Sequence, residues 1–356
     1  MSALWHCVGL GVADDVVCFE KQETWGKWSK GAGGKLKDYI KFNTAVRYVK
    51  YENETKTSIV TVEDVAKKET KEETFTHVIV ASGIYSFPNT STFPGIESFG
   101  GRVIHSHDLR SARHFHGQRV LVIGAAYSGE DISTQLIKFG AQSVTLAFRR
   151  QPKSASCNIP NSIVEKPMVE PFKNNTAHFV DRSSVEIDAV IFATGYCPAG
   201  LYNGTLFHKE GNNNLFYIGV LEQFHTFTYC EALAYWTCRF IRGDFKQEPV
   251  SREEMQKSAD EWHQLANECK NEHDIVRFQA RVIKNLVEAA DYPYPEICRM
   301  ELLLLEWIDV RQGHLDLTTF RDHSYKSVYT GKMTPPSNIP FMDNMDDSVE
   351  AYLGQK

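Results

Sequence analysis

No apolar run in this 356-residue sequence approaches the ~20 residues that a membrane-spanning helix needs, and no basic stretch followed by a long apolar one opens it. The expectation is a soluble, cytoplasmic protein. The eight cysteines (Cys7, Cys18, Cys157, Cys197, Cys230, Cys238, Cys269, Cys298) include no C-x-x-C pair, which argues against a zinc ribbon and a dithiol reductase and favours reduced, mostly buried thiols. Basic residues are not in excess. Lys and Arg total 39 against 45 Asp and Glu, a net charge of -6, so nothing electrostatic points to nucleic acid and an anionic ligand must be held by local groups. No low-complexity tract, short repeat or Ser/His/Asp constellation stands out. What remains is 42% hydrophobic and 24% charged, ordinary for a globular chain long enough for two domains.

One absence is more specific. The run VVCFEKQETWGKW at 16–28 stops at Glu20, followed by Lys21, Trp25, Gly26 and Trp28. In a βαβ unit that binds a dinucleotide, an acid about 20 residues past a G-x-G-x-x-G loop takes the ribose hydroxyls. Here the preceding MSALWHCVGLGVADD offers only Gly9 and Gly11. The acid is present without its loop.

A complete loop lies further on. Arg119–Ile123 (RVLVI) reads as a strand, Gly124-Ala125-Ala126-Tyr127-Ser128-Gly129 as a glycine loop, Ser128–Phe139 as a helix closing at Gly140, and Ser143–Phe148 as the next strand. Gly124 allows the tight turn, a small residue at Ala126 lets backbone amides approach a pyrophosphate, and Gly129 lets the helix pack on the strand. The second strand ends in Arg149-Arg150 rather than an acid. Guanidinium groups pair bidentately with a 2'-phosphate, so the pattern points to NADP(H) over NAD(H), the alternative being two arginines on a solvated strand end.

Two segments repeat a pattern, HVIVASG at 77–83 and AVIFATG at 189–195, each preceded by alternating residues around a charged turn. A pair of related nucleotide-binding domains would produce that. Helices are expected over 251–270, with a Ser251/Glu254 capping box, and over 274–290. His105, His107, His114 and His116 fall within twelve residues and tempt toward a transition metal. Nothing in the pattern marks the acidic or thiol partner of a closed site, so no metal site is expected.

Four motifs in order carry a resemblance: FEKQETWG at 19–26, FPGIESFGGRVIHSHDL at 93–109, GAAYSGED at 124–131 and FATGY at 192–196. The chain resembles the class B flavin-containing monooxygenases, whose pattern F-x-G-x-x-x-H is matched by Phe99, Gly101 and His105, with Leu109 replacing the final aromatic. The tail FRDHSYKSVYTGKM looks most like the trimethylamine monooxygenase branch. The resemblance implies an α/β flavoprotein with two Rossmann-like dinucleotide-binding domains, the FAD domain (1–98 and 185–356, the latter with a helical region) split by an NADP(H) domain at 99–184. Glu20 would take the FAD ribose, Lys21 and Trp28 the adenosine side, and Gln223 would lie near the flavin. Tyr127, Ser128 and Gly129 would hold the NADP pyrophosphate and Arg149, with Arg150, the 2'-phosphate. Ser82-Gly83 and Thr194-Gly195 would lie where the domains meet.

The activity implied is FAD- and NADPH-dependent oxygenation, with O2, of a small amine or sulfide through a C4a-hydroperoxyflavin. Partners are that substrate and O2, with a homodimer left open. The family's first glycine loop is shortened here, and so is the block after Trp25-Gly26 that normally carries its active-site asparagine. No catalytic residue is therefore assigned, and an NADP(H)-binding relic stands as the alternative.

Overall fold

A computed structural model describes residues 2–12, 16–23, 34–83, 85, 87–149, 159–197, 207–208, 212–219, 224–245, 251–292, 297–313, 323–328 and 330–333. The chain divides into two compact units, Met1–Ile84 with Gly200–Glu301, and Tyr85–Ala199 with Leu302–Lys356. Trp28, Arg150 and Gln223 lie outside the described residues.

The second unit is built on a parallel five-stranded sheet in the order Ile163–Lys166, Ser143–Ala147, Arg119–Ile123, Ala189–Phe192, Arg102–His105. Its inner strands are mostly apolar on both sides, Thr145 being a buried exception, because both faces are covered. Val120, Val122, Val144, Leu146 and Ile191 point to one face, where Ile132 and Leu136 of the helix Tyr127–Lys138 and Phe115 fill the core. Leu121, Ile123, Val190 and Phe192 point to the other, against Val169, Phe172 and Phe179 of a three-stranded antiparallel sheet (Val169–Lys173, Thr176–Phe179, Ser184–Glu186). Side chains one residue apart in a strand thus serve two cores.

The first unit carries two short parallel pairs. Cys18–Phe19 lies beside Ile40–Lys41, and Val78–Val80 beside the strand Asn212–Tyr217. A three-stranded antiparallel sheet (Thr44–Glu52, Thr57–Asp64, Thr70–Phe75) precedes Val78–Val80, as the other antiparallel sheet precedes Ala189–Phe192. A helical core joins Ile218 with Leu233 and Ala234 of the helix Thr226–Arg242 and Ile283 of the helix Glu272–Ala290. That last helix begins two residues before the expected Asp274, because the Asn271 side chain accepts a 2.9 Å hydrogen bond from the Asp274 amide and caps it.

The α/β architecture is the one expected, but the units part at 84/85 and 199/200 rather than at 98/99 and 184/185. A break at 184/185 would assign Ala189–Phe192 to the other unit, whereas this strand sits between Arg119–Ile123 and Arg102–His105, in register Ala189 to Val120 and Phe192 to Ile123. Its entry is fixed by Asp188, whose carboxylate accepts from the Arg119 amide at 2.8 Å and from its guanidinium at 2.8 and 3.1 Å. That pairing holds the Asp188 carboxyl below the usual carboxylate range.

Burial lowers the imidazole pKa of His77, His105 and His225. The unfolded chain, titrating near pH 6.5, therefore takes up protons first on acidification. Stability should be full above about pH 7 and fall as pH drops through about 6.5 toward the folded pKa values. Urea midpoints at about pH 7.5 and 5.5 should differ in that direction, with a smaller difference in His225→Asn. A parent midpoint that does not move contradicts the burial.

Candidate functional site

The four inner and outer strands that matter here run parallel, so their carboxyl ends share one edge of the sheet. That edge brings together Gly124 after Ile123, Arg149 after Ala147, Thr194 after Phe192 and Ser106 after His105. From Arg119–Ile123 the chain proceeds outward in one direction, while Ala189–Phe192 and Arg102–His105 lie in the other. The strand order therefore reverses beside Gly124, the position at which open α/β sheets bind ligands.

The loop at this point is as tight as the sequence suggests. Gly124 has φ +112°, and a Cβ there would stand 2.3 Å from the Ala193 carbonyl oxygen. A Cβ on Gly129 would stand 1.7 Å from the Gly124 carbonyl oxygen. Neither side chain can be accommodated without moving backbone, so both glycines are needed for the helix to approach the strand. The helix begins at Tyr127 after an extended Ala126 that contributes no side-chain cap. The positive end of the helix dipole therefore faces the loop, an electrostatic setting that suits a phosphate. Tyr127 and Ser128 are exposed there, and Arg149 is exposed at the end of the neighbouring strand.

Thr194 and Gly195 are held rather than free. The Thr194 hydroxyl donates to the Asn89 carbonyl, and the Asn89 amide donates to the Gly195 carbonyl at 2.9 Å. Gly195 has φ +79°. In the other unit, half-buried Glu20 ends the parallel strand Cys18–Phe19 and accepts from the Gln22 amide at 2.9 Å, with Lys21 exposed beside it. Ser82 and Gly83 follow the strand Val78–Val80, with φ +74° at Gly83. Gly9 and Gly11 do not form a phosphate loop: Gly9 ends the helix Ser2–Gly9 and Gly11 lies just past it, and a Cβ on either would meet nothing within 4 Å.

Three residues of this edge escaped the sequence reading. Glu130, in the first helical turn, is 3% exposed and accepts a charged hydrogen bond from Arg311, equally buried, on the helix Ile297–Gly313. The Arg311 guanidinium also lies 4.1 Å from the centre of the Tyr127 ring, and Trp307 stands 6.4 Å from that ring. A buried acid in a first turn signals that a cation must come from somewhere; a separation of 181 positions hides which one.

The four histidines disperse. His105 is buried, its Nδ1 accepting from the His107 amide at 3.0 Å and its ring edge-on to Tyr196, whereas His114 and His116 are exposed. Among the described residues no group of three or more His, Cys, Asp or Glu could hold a metal ion. No described helix is long and apolar enough to cross a membrane.

A parallel sheet whose switch point carries a tight glycine turn running into a helix has the α/β architecture of the Rossmann type. The comparisons narrow this class. The Flavin-binding monooxygenase-like family model matches residues 30–152. The trimethylamine monooxygenase of Methylocella silvestris is 35% identical over 336 residues, covering 89% of this chain and 73% of that one. That of Roseovarius nubinhibens is 36% identical over 337 residues, covering 89% and 74%. The solved structure of Tmm from Pelagibacter sp. strain HTCC7211 matches with a TM-score of 0.83 at 26% identity, over 99% of this chain and 97% of that one. The chain belongs to the flavin-binding monooxygenase-like family.

Arg311→Ala leaves Glu130 buried without its cation and is expected to cost about 3–5 kcal/mol in denaturant unfolding. Replacing both residues by Met should restore most of that loss, since both charges go together. A double variant as unstable as the single would show that the residues are not coupled.

Proposed function

We propose that the chain is an FAD- and NADPH-dependent monooxygenase that oxygenates a nucleophilic nitrogen or sulfur atom of a small molecule, with O2 as co-substrate. The observation that carries this reading is the Gly124–Gly129 turn, where the backbone leaves no room for a side chain at either glycine and a helix begins at the strand's carboxyl end, in a chain of the flavin-binding monooxygenase-like family. Relatives named trimethylamine monooxygenase favour a small tertiary amine over a sulfide as the first substrate to try.

The residues present fit NADP(H). The amides of Tyr127, Ser128 and Gly129 would take the pyrophosphate, Ala126 would leave room for it, and exposed Arg149, with Arg150, would pair with the 2'-phosphate. Buried Arg311 would steady the Tyr127 ring beside it. Toward FAD the fit is partial: Glu20 at its strand end suits a ribose and Lys21 the adenosine side, with Ser82-Gly83 and Thr194-Gly195 at the strand ends, but Gly9 and Gly11 supply no cradle. When bound, the two cofactors supply the redox chemistry, and the protein's part is to bind, orient and exclude water. The open glycines favour a second reading, an NADP(H)-binding protein that has lost oxygenation.

The purified chain separates the two. Near-stoichiometric flavin absorption with trimethylamine-dependent NADPH oxidation and O2 uptake supports the enzyme, while a colourless protein that binds NADPH and consumes no O2 supports the second reading.

The nicotinamide assignment has its own test. Arg149→Ala should weaken NADPH binding by about tenfold or more, as expected for a lost charged hydrogen bond, and leave NADH nearly unchanged. Equal losses for the two nucleotides would overturn it.

A further inference from the structure

Within the unit formed by Met1–Ile84 and Gly200–Glu301, the sulfur atoms of Cys7 and Cys238 lie 3.1 Å apart. Cys7 is near the end of the helix Ser2–Gly9 and Cys238 lies in the helix Thr226–Arg242, 231 positions away in sequence. Both are buried, at 5% and 0% exposure, and the Cys238 thiol also reaches the Ala3 carbonyl at 3.5 Å. The dinucleotide and oxygenation chemistry proposed above uses neither thiol. A bonded pair would need the sulfurs to close by only about 1 Å.

We propose that Cys7 and Cys238 are a disulfide-forming pair, oxidised by hydrogen peroxide, whose bond clamps the helix Ser2–Gly9 onto the helix Thr226–Arg242. The Cys7 thiolate attacks one peroxide oxygen; the O–O bond breaks, and the departing hydroxide leaves as water with the Cys7 proton, giving a sulfenic acid. Cys238 sulfur then attacks Cys7 sulfur, the S–O bond breaks, and a second water leaves with the Cys238 proton. Two thiols together lose two electrons and one peroxide gains them.

The order of the steps follows from the surroundings. The hydrogen bond shared by the two thiols lowers the Cys7 pKa and, with burial, raises that of Cys238, so Cys7 is the better thiolate. Cys7 is also the reachable one. An eight-residue helix is marginal alone, and this one is held by buried Leu4 and Cys7 and by a 2.6 Å contact between His6 and Glu231, so its local opening exposes Cys7 to oxidant. Closing a span of 231 residues restricts the unfolded chain far more than a short loop would.

The full chain, treated with hydrogen peroxide under native conditions and then alkylated, tests this by peptide mass mapping and thermal unfolding. The expected result is a peptide pair joining Cys7 to Cys238, two hydrogens lighter than the separate thiols, and a midpoint raised by roughly 5 °C or more that dithiothreitol reverses. Cys238→Ser and Cys238→Ala should show neither change, and two variants guard against one that fails to fold. Peroxide that yields only sulfinic or sulfonic acid at Cys7, bridges other cysteines, or leaves Cys7 a thiol overturns the pairing. A bridge that does not raise the midpoint overturns the clamp.

Discussion

The close approach of the helix Tyr127–Lys138 to the sheet is the constraint on which the candidate site depends. It is made by two missing side chains, at Gly124 and Gly129, and by the Ala193 carbonyl that would otherwise collide with the first of them. Backbone contact at this distance aims the helix N-terminus along the carboxyl edge of the sheet. It also requires Ala189–Phe192 to be the immediate neighbour of Arg119–Ile123, since Ala193 follows directly from that strand. The pairing of Asp188 with Arg119 at the opposite end of the same two strands therefore bears on the loop, because it sets the register that delivers Ala193.

A second constraint acts on the same turn from outside the sheet. Burying Glu130 is unfavourable unless it is paired, and Arg311 supplies both the pairing and a cation on the face of Tyr127. The pair makes a long excursion of the chain return to the first helical turn. It contributes less by raising net stability than by tolerating only one position for that return, since either charge left alone in the interior is strongly unfavourable.

What could be read from sequence divides along the distance over which each feature is encoded. The glycine loop, the strand before it and the arginines after it are contiguous, and their chemistry is written in some thirty residues. The strand Ala189–Phe192 was legible as a buried strand, but its partners were not, because an apolar run reports that both faces are covered and not which strands lie beside it. Asn271 moved a helix start by two residues because a cap lies outside the periodicity it terminates. Glu130 with Arg311, and Cys7 with Cys238, were invisible for a stronger reason: scanning for short spacings finds ligands and thiols that are neighbours in sequence, and these partners meet only in the fold.

The same distinction bears on the two halves of the proposed chemistry. At Gly124 and Gly129, glycine is required by atoms within 3 Å of where a side chain would begin, so the loop's shape is evidence for a close-packed turn whatever it binds. At Gly9 and Gly11, glycine is surrounded by open space, and Gly11, at φ +63°, serves the end of a helix. The two glycine pairs thus have opposite physical meanings, and only the first kind brings a helix N-terminus close enough to a strand to suit an anion. Glu20, the proposed ribose acceptor, follows its parallel strand without that neighbouring cradle. A dinucleotide held there would rest on side-chain contacts to its sugar end more than on backbone amides to its phosphates, and its affinity would follow the few residues that make them.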